Sequence, residues 1–148
     1  MKINHLILEN FYKIFGNLFT GNPKFRILNV HDILEKDFDN LEKVLLSLKK
    51  NWEFVDPSKI HMISEKPNKN YILLTFDDGY KSQKFFADKI LNKHNIKSIF
   101  FVITNFLNID NQKDAKSFVL KNIDTNIDKD KLRYDEVNNM NFEDILNL

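Results

Sequence analysis

The sequence predicts an α/β fold built on parallel strands, and two observations carry that expectation. Tyr71 to Phe76 and Lys97 to Ile103 are apolar runs without alternation, the pattern of strands covered on both faces. Between them, residues 82–94 follow a helical apolar period, so strand, helix and strand make one βαβ unit with a right-handed crossover. The chain has 148 residues, is 43% hydrophobic and holds 14 phenylalanines, which is enough to bury a core as one folded unit.

The elements follow in order. At residues 5–19, Leu6, Ile7, Leu8, Phe11, Ile14, Phe15, Leu18 and Phe19 recur at helical spacing. This predicts an N-terminal amphipathic helical segment within residues 1–24, either packed on the domain or docked to a membrane surface or partner. Its polar face offers only Lys13 as a cation, which favours packing. Gly21, Asn22 and Pro23 end it, and the domain proper is expected over 25–148. Residues 25–30 form a short strand leading into His31-Asp32. Phe38, Leu41, Val44, Leu45 and Leu48 mark an amphipathic helix with Asp37 at its N-cap. Turns are expected at Pro57-Ser58 and from Pro67 to Asn70.

After the strand at 71–76, Ser82 is the expected cap of a helix whose inward residues are Phe85, Phe86, Ile90 and Leu91. Asn95 closes it in the left-handed conformation. A further helix is expected near 113–122, with Ala115, Phe118 and Val119 on one face, and Asn141 caps a last one over Phe142 to Leu148. A pattern that stops inside an apolar helix, two buried strands into a parallel sheet, is expected to be interrupted.

Composition removes several function classes. The net charge is +1, from 22 basic and 21 acidic residues, and only Arg26 and Arg133 are arginine. A nucleic-acid surface wants a basic excess rich in arginine, so that role is disfavoured. The absence of cysteine excludes disulfides, a thiol nucleophile and thiolate metal sites. No stretch reaches the roughly 18 apolar residues of a spanning helix. Glu9 and Asn10 interrupt any secretory leader core, so a soluble cytoplasmic protein is expected.

The chemistry concentrates in Thr75-Phe76-Asp77-Asp78-Gly79-Tyr80, at the carboxyl end of a strand where parallel sheets bind ligands. Neighbouring residues on an ideal strand point to opposite faces. Two carboxylates can converge only if the backbone turns there, and Gly79 permits such a turn. Close carboxylates repel, so a cation or a shared proton is expected between them. A metal ligated by one, with the other as general base, would meet that demand. The alternative from these residues alone is a solvated loop whose Asp-Asp-Gly caps the next helix.

Of the four histidines, His31 ends a strand expected beside that of Asp77. It lines the same pocket, with Gly79 and Tyr80, or is satisfied by backbone groups. His5, His61 and His94 read as surface or helix-end residues. Asp124, Asn126, Asp128, Asp130 and Asp135 fit a calcium-loop spacing, but Lys129 stands where the sharp turn needs glycine, which favours a solvated loop.

These residues resemble the polysaccharide deacetylase family, the NodB-like domain also found in chitin-oligosaccharide deacetylases of nodulation. Its first motif, Thr-Phe-Asp-Asp-Gly, is intact at 75–79 and is followed by the frequent Tyr80. Arg26 to Ile33 is similar to the family's opening strand, Phe38 to Lys49 to its next helix, and Ile96 to Val102 to its second strand. Met140 to Leu148 resembles the helix before the second motif.

The resemblance implies an incomplete, distorted (β/α) barrel with parallel strands. It also implies hydrolysis of N-acetyl (or O-acetyl) groups on an oligo- or polysaccharide. Asp77 would be the general base and Asp78 a ligand of a divalent metal, zinc or similar. The family completes that metal site with a His-Ser/Thr-x-x-His motif, which these 148 residues lack. The chain is therefore expected to be truncated and inactive alone.

Two other readings stand beside this one. A non-catalytic remnant of the same fold would bind carbohydrate or a partner, and an unfinished sheet would promote self-association. A phosphatase-like α/β hydrolase with Asp77 as nucleophile lacks the second aspartate two residues on that such enzymes use.

Overall fold

The computed structural model describes residues 25–65, 69–123 and 137–148. The helix expected at 5–19, His5 and the calcium-loop spacing at 124–135 lie outside them.

Four strands, β1 (Phe25–Val30), β2 (Glu53–Phe54), β3 (Tyr71–Asp78) and β4 (Ser98–Val102), form one open sheet in which every pairing is parallel. β1 runs along one edge of β3, from Phe25 opposite Tyr71 to Val30 opposite Phe76. A strand has two edges, so β2 and β4 share the other end to end. Glu53 and Phe54 lie beside Tyr71 and Ile72, and Ser98–Val102 beside Leu74–Asp78. β3 is thus central, and Tyr71 through Phe76 are all buried, as their unbroken apolar run predicts. The strand outlasts the apolar run by two residues and includes both aspartates.

Helix α1 (Phe38–Lys49) buries Phe38, Leu45 and Leu48. Asp37 stands at its N-cap position without a side-chain capping bond. Its φ and ψ of −97° and −3° are helical, because a 3₁₀ turn over Glu35–Asp37 already leads into the helix. An N-cap carboxylate works from extended backbone, which is absent here.

The crossover from β3 to β4 runs through α2 (Lys81–Phe86), a π turn over Ala87–Leu91 and α3 (Asn92–His94). Asn95 closes it at φ 51°, in the left-handed conformation expected. Two expectations for this helix are corrected. Ser82 is not the cap; the helix starts at Lys81, and the Ser82 hydroxyl donates to Asp32 Oδ1 at 3.2 Å. Phe85 does not face inward with Phe86. Successive helical residues are about 100° apart, so both cannot meet the sheet. Phe86, Ile90 and Leu91 are buried, whereas Phe85 stays partly exposed with the Lys81 ammonium 5.8 Å from its ring centre.

The main core gathers these faces around Phe76. Its ring stacks on Phe100 at 4.8 Å and lies 6.2 Å from Phe86, which meets Phe38 edge to face at 5.1 Å. Such aromatic pairs contribute about 0.5–1.5 kcal/mol each beyond burial. β4 is less covered than its sequence predicts, with Phe101 56% exposed. Among the described residues only β3 pairs with it, so it stands here as an edge strand.

Beyond β4, α4 (Thr104–Leu107) and α5 (Gln112–Asn122) build a second cluster from Tyr80, Phe106, Ala115, Val119 and Val137. Asn111 caps α5 by accepting from the Asp114 N–H at 2.9 Å. Asn141 and Asp144 form a reciprocal capping box on α6 (Phe142–Leu146), which ends two residues before Leu148.

The segment at 137–141 clamps the turn after β3. The Met140 N–H donates to the Gly79 carbonyl and the Lys81 N–H to the Asn138 carbonyl, both at 2.8 Å. Lys81 also pairs with Asp144 on α6. Gly79 has φ +93°, and a Cβ there would lie 3.3 Å from Val102 Cγ1. Gly79→Ala therefore incurs both backbone strain and crowding. It should lower the unfolding free energy by about 1–3 kcal/mol, read as a fall in urea midpoint at constant slope. An unchanged midpoint would show that the turn tolerates a side chain.

Burial pushes the Asp144 carboxyl up, but hydrogen bonds from the Lys81 ammonium and the Asn141 N–H outweigh it and hold its pKa below the ordinary value. A depressed carboxylate stabilises the fold above its unfolded pKa, about 3.9, and that contribution vanishes as pH falls through the lower folded value. Asp144→Asn should make acid unfolding less steep below about pH 4. Thermal unfolding across that range checks it, and an identical acid limb would exclude the pairing as its source.

Candidate functional site

The site forms where β1 and β3 end side by side. Strand residues two apart share a face, so Asn29 shares one with His31 and Thr75 shares one with Asp77. The register sets Asn29 beside Thr75. The Thr75 hydroxyl donates to Asn29 Oδ1 at 2.8 Å, and the Asn29 amide donates to Asp77 Oδ2 at 2.7 Å. The same amide nitrogen lies 3.3 Å from His31 Nε2.

Asp78 would leave an ideal strand on the opposite face. Its φ is +79°, left-handed for a residue with a side chain, and the bend reaches Gly79 only afterwards. The turn expected at Gly79 thus begins one residue earlier. Asp78 Oδ2 sits 3.0 Å from His31 Nδ1, while Asp77 Oδ2 is 3.8 Å from His31 Nε2. Both carboxylates therefore border one imidazole.

A carboxylate only accepts, so Nδ1 is the donor to Asp78 and Nε2 faces the Asn29 amide as acceptor. The side chains of His31, Asp77 and Asp78 are 62%, 30% and 13% exposed, so the group opens to solvent at the imidazole and closes toward Asp78.

Beneath them, Gln83 is fully buried. Its amide nitrogen donates to the His31 carbonyl at 2.7 Å and also to the Asp77 carbonyl. Gly79 lies at the bend, against Val102 and Leu107. Tyr80, expected near the carboxylates, is buried instead against Phe106, ring centres 5.5 Å apart. It borders a neighbouring cavity of about 150 Å³ with Asp32, Glu35, Lys81, Ser82 and Phe85. None of His31, Asp77 and Asp78 lines that cavity.

Of the other histidines, His61 is exposed, and His94 sits at the helix end against Glu42. Hydrogen bonds from His94 and Lys93 hold the Glu42 carboxyl below its ordinary range.

Sequence reasoning missed Asn29 and Gln83. A polar residue two before His31 in an otherwise apolar stretch was the available signal for the first. Gln83, three before the buried Phe86, holds an inward helical position, which was the signal for the second.

The family implied by the motif uses a divalent metal, so the donor set is tested against one. Among the described residues, no group of three or more His, Cys, Asp or Glu side chains is arranged to hold a metal ion. Asp77 and Asp78 offer oxygen, but the His31 nitrogens are engaged with Asp78 and Asn29. Two carboxylates fall short of the about three protein ligands of a catalytic zinc site. The described residues do not by themselves fit a metal centre. Nor is any helix among them long and apolar enough to cross a membrane.

No curated protein matches the chain. Among solved structures it is similar in fold to IcaB from Ammonifex degensii, with a TM-score of 0.60 and 19% identity over 85% of this chain and 48% of that one. The chain thus spans about half the length of IcaB. A de-N-acetylase from Aggregatibacter actinomycetemcomitans aligns at TM-score 0.49 and 17% identity, over 58% of this chain and 40% of its own. Streptococcus pyogenes deacetylase PplD aligns at 0.44 and 19%, over 59% and 45%. The family model described as polysaccharide deacetylase matches residues 64–140, just over half of the sequence and all of the Thr75–Tyr80 motif, so this chain belongs to the polysaccharide deacetylase family.

Proposed function

We propose that this chain carries the aspartate half of a carbohydrate deacetylase centre. The reaction is hydrolysis of an N-acetyl (or O-acetyl) group on an oligo- or polysaccharide, acting on carbon–nitrogen bonds other than peptide bonds. The observation that carries this reading is the pair of adjacent carboxylates bordering one imidazole at the end of the central parallel strand. Deacetylation needs a base for the attacking water and a site where negative charge draws a cation, and the two aspartates differ in the ways those roles require.

Asp77 is the more exposed and is oriented by Asn29, which suits a base that takes a proton from water. The water oxygen then bonds to the acetyl carbonyl carbon, the carbon–nitrogen bond breaks, and the amine leaves with a proton while acetate is released. Asp78 is more enclosed and is the proposed metal ligand. Bound there, a divalent ion such as zinc would supply polarisation of the acetyl carbonyl. The described residues contribute that one ligand and no complete set, so the 148-residue chain by itself should hold metal weakly and release little acetate. His31 stands at the open rim, placed to touch substrate.

A second reading rests on exposed apolar surface. Phe101 on β4 and Phe142, Leu146 and Leu148 around α6 face outward. Such surface suits a non-catalytic module that binds carbohydrate or a partner, including another copy. Sedimentation at high concentration separates the readings, because a clean monomer counts against self-association.

The leading proposal is tested by metal content and acetate release from N-acetylated oligosaccharides, in this chain and in any longer protein containing it. In a longer protein that supplies the remaining ligands, Asp77→Asn should keep metal and lower turnover on the order of 10²–10⁴-fold, whereas Asp78→Ala should lose the metal. Reversed results would exchange the two roles. Neither metal nor acetate in any form of the protein would defeat the proposal.

A further inference from the structure

Gln83 is buried without exposure, yet it is polar and sits on the inward face of α2. Its amide nitrogen donates to two carbonyls, those of His31 and Asp77. These residues are 46 apart in the chain; His31 directly follows β1, and Asp77 lies in β3. The β1–β3 register ends with Val30 opposite Phe76, and His31 and Asp77 are the next pair in that register. Gln83 therefore bridges the two strands one step past their last paired residues, directly beneath the side chains that form the site.

The other half of the amide gives a second reason to look here. Gln83 Oε1 is buried with no hydrogen-bond partner among the described residues. An unpaired buried acceptor is costly, whereas methionine would fill similar space without that cost. The donor half must offset it, and its two acceptors are the backbone groups that carry the site. Both N–H groups are used, one on the residue just past β1 and one on β3.

We infer that Gln83 is a positioning residue: by holding the His31 and Asp77 carbonyls to one amide, it sets the spacing of their side chains and the orientation of the His31 ring. The inference rests on the proposed function only for its kinetic consequence. The spacing and the ring orientation are properties of the protein without substrate. Loss of the bridge lets the end of β1 shift against β3. The Asn29 contact to His31 Nε2, already 3.3 Å, is the first to lengthen. Asp77 keeps its Asn29 bond but loses the fixed relation to the imidazole.

The test is Gln83→Met in the full chain, read by the ¹⁵N shifts of the His31 imidazole. A folded Gln83→Met should move both nitrogen shifts away from their wild-type values, and where acetate release is measurable it should lower kcat at least tenfold with KM within about twofold. A merely structural role would lower stability and leave the imidazole shifts and the kcat to KM pattern alone. A folded variant with unmoved His31 signals overturns the inference. If Gln83→Met does not fold, Gln83→Glu is read in its place, since it keeps the shape but has at most one hydrogen to donate and cannot hold both carbonyls, and the same two outcomes decide. Shifted His31 signals in a protein that releases no acetate uphold the positioning role while the deacetylase reading fails, so the two failures are distinguishable.

Discussion

A strand that carries two acidic residues in succession presents them to opposite sides unless its backbone is forced out of the extended region. Here that force is applied at Asp78, whose φ of +79° is costly for a residue with a side chain, and is continued at Gly79 with φ +93°. The conformation survives because its surroundings leave no alternative. Val102 and Leu107 pack where a Gly79 side chain would go, and the Met140 N–H takes the Gly79 carbonyl. Asp78 itself is held by His31. Strain of this kind persists only where packing over-determines it, and it is met most often where a chain does chemistry.

The bend works because β1 and β3 are parallel and in register. Parallel pairing brings the carboxyl ends of two strands to the same edge of the sheet, so the residues that follow Val30 and Phe76 emerge together. Thr75 and Asn29, side by side in that register, form a polar stem within an otherwise apolar sheet. On this stem the imidazole and the first carboxylate share one amide. The charged groups are thus not scattered on loops but rooted in regular structure, whose Phe76, Phe86 and Phe100 packing lies directly below.

Much of this was legible in the sequence. The unbroken apolar run at 71–76 announced a strand buried on both faces, and the glycine after two aspartates announced a turn. Asn95, the Asn141 cap and the buried pair Ala115 and Val119 followed from local patterns alone. Other features were not legible, for a common reason. A helical period does not say which of two adjacent phenylalanines meets the sheet, so Phe85 read as an inward residue and emerged outward. The burial of β4 depends on what covers it, which the apolar character of Phe101 does not specify. Asn29 bonds Asp77, 48 residues on, and Gln83 bonds His31, 52 residues back; a polar residue among apolar ones could flag each position, but no local pattern names the distant partner.

That separation has a kinetic meaning. Asn29 and Thr75 are 46 residues apart, and Asn29 and Asp77 are 48 apart. Closing so long a loop loses chain entropy before any contact repays it, and non-local parallel pairing is among the slow steps of folding. The helices can form early, but the acidic pair has no partner until β1 has found its place beside β3. Closure of this cluster therefore follows the pairing of β1 with β3, and the imidazole at its rim reports when that pairing is complete.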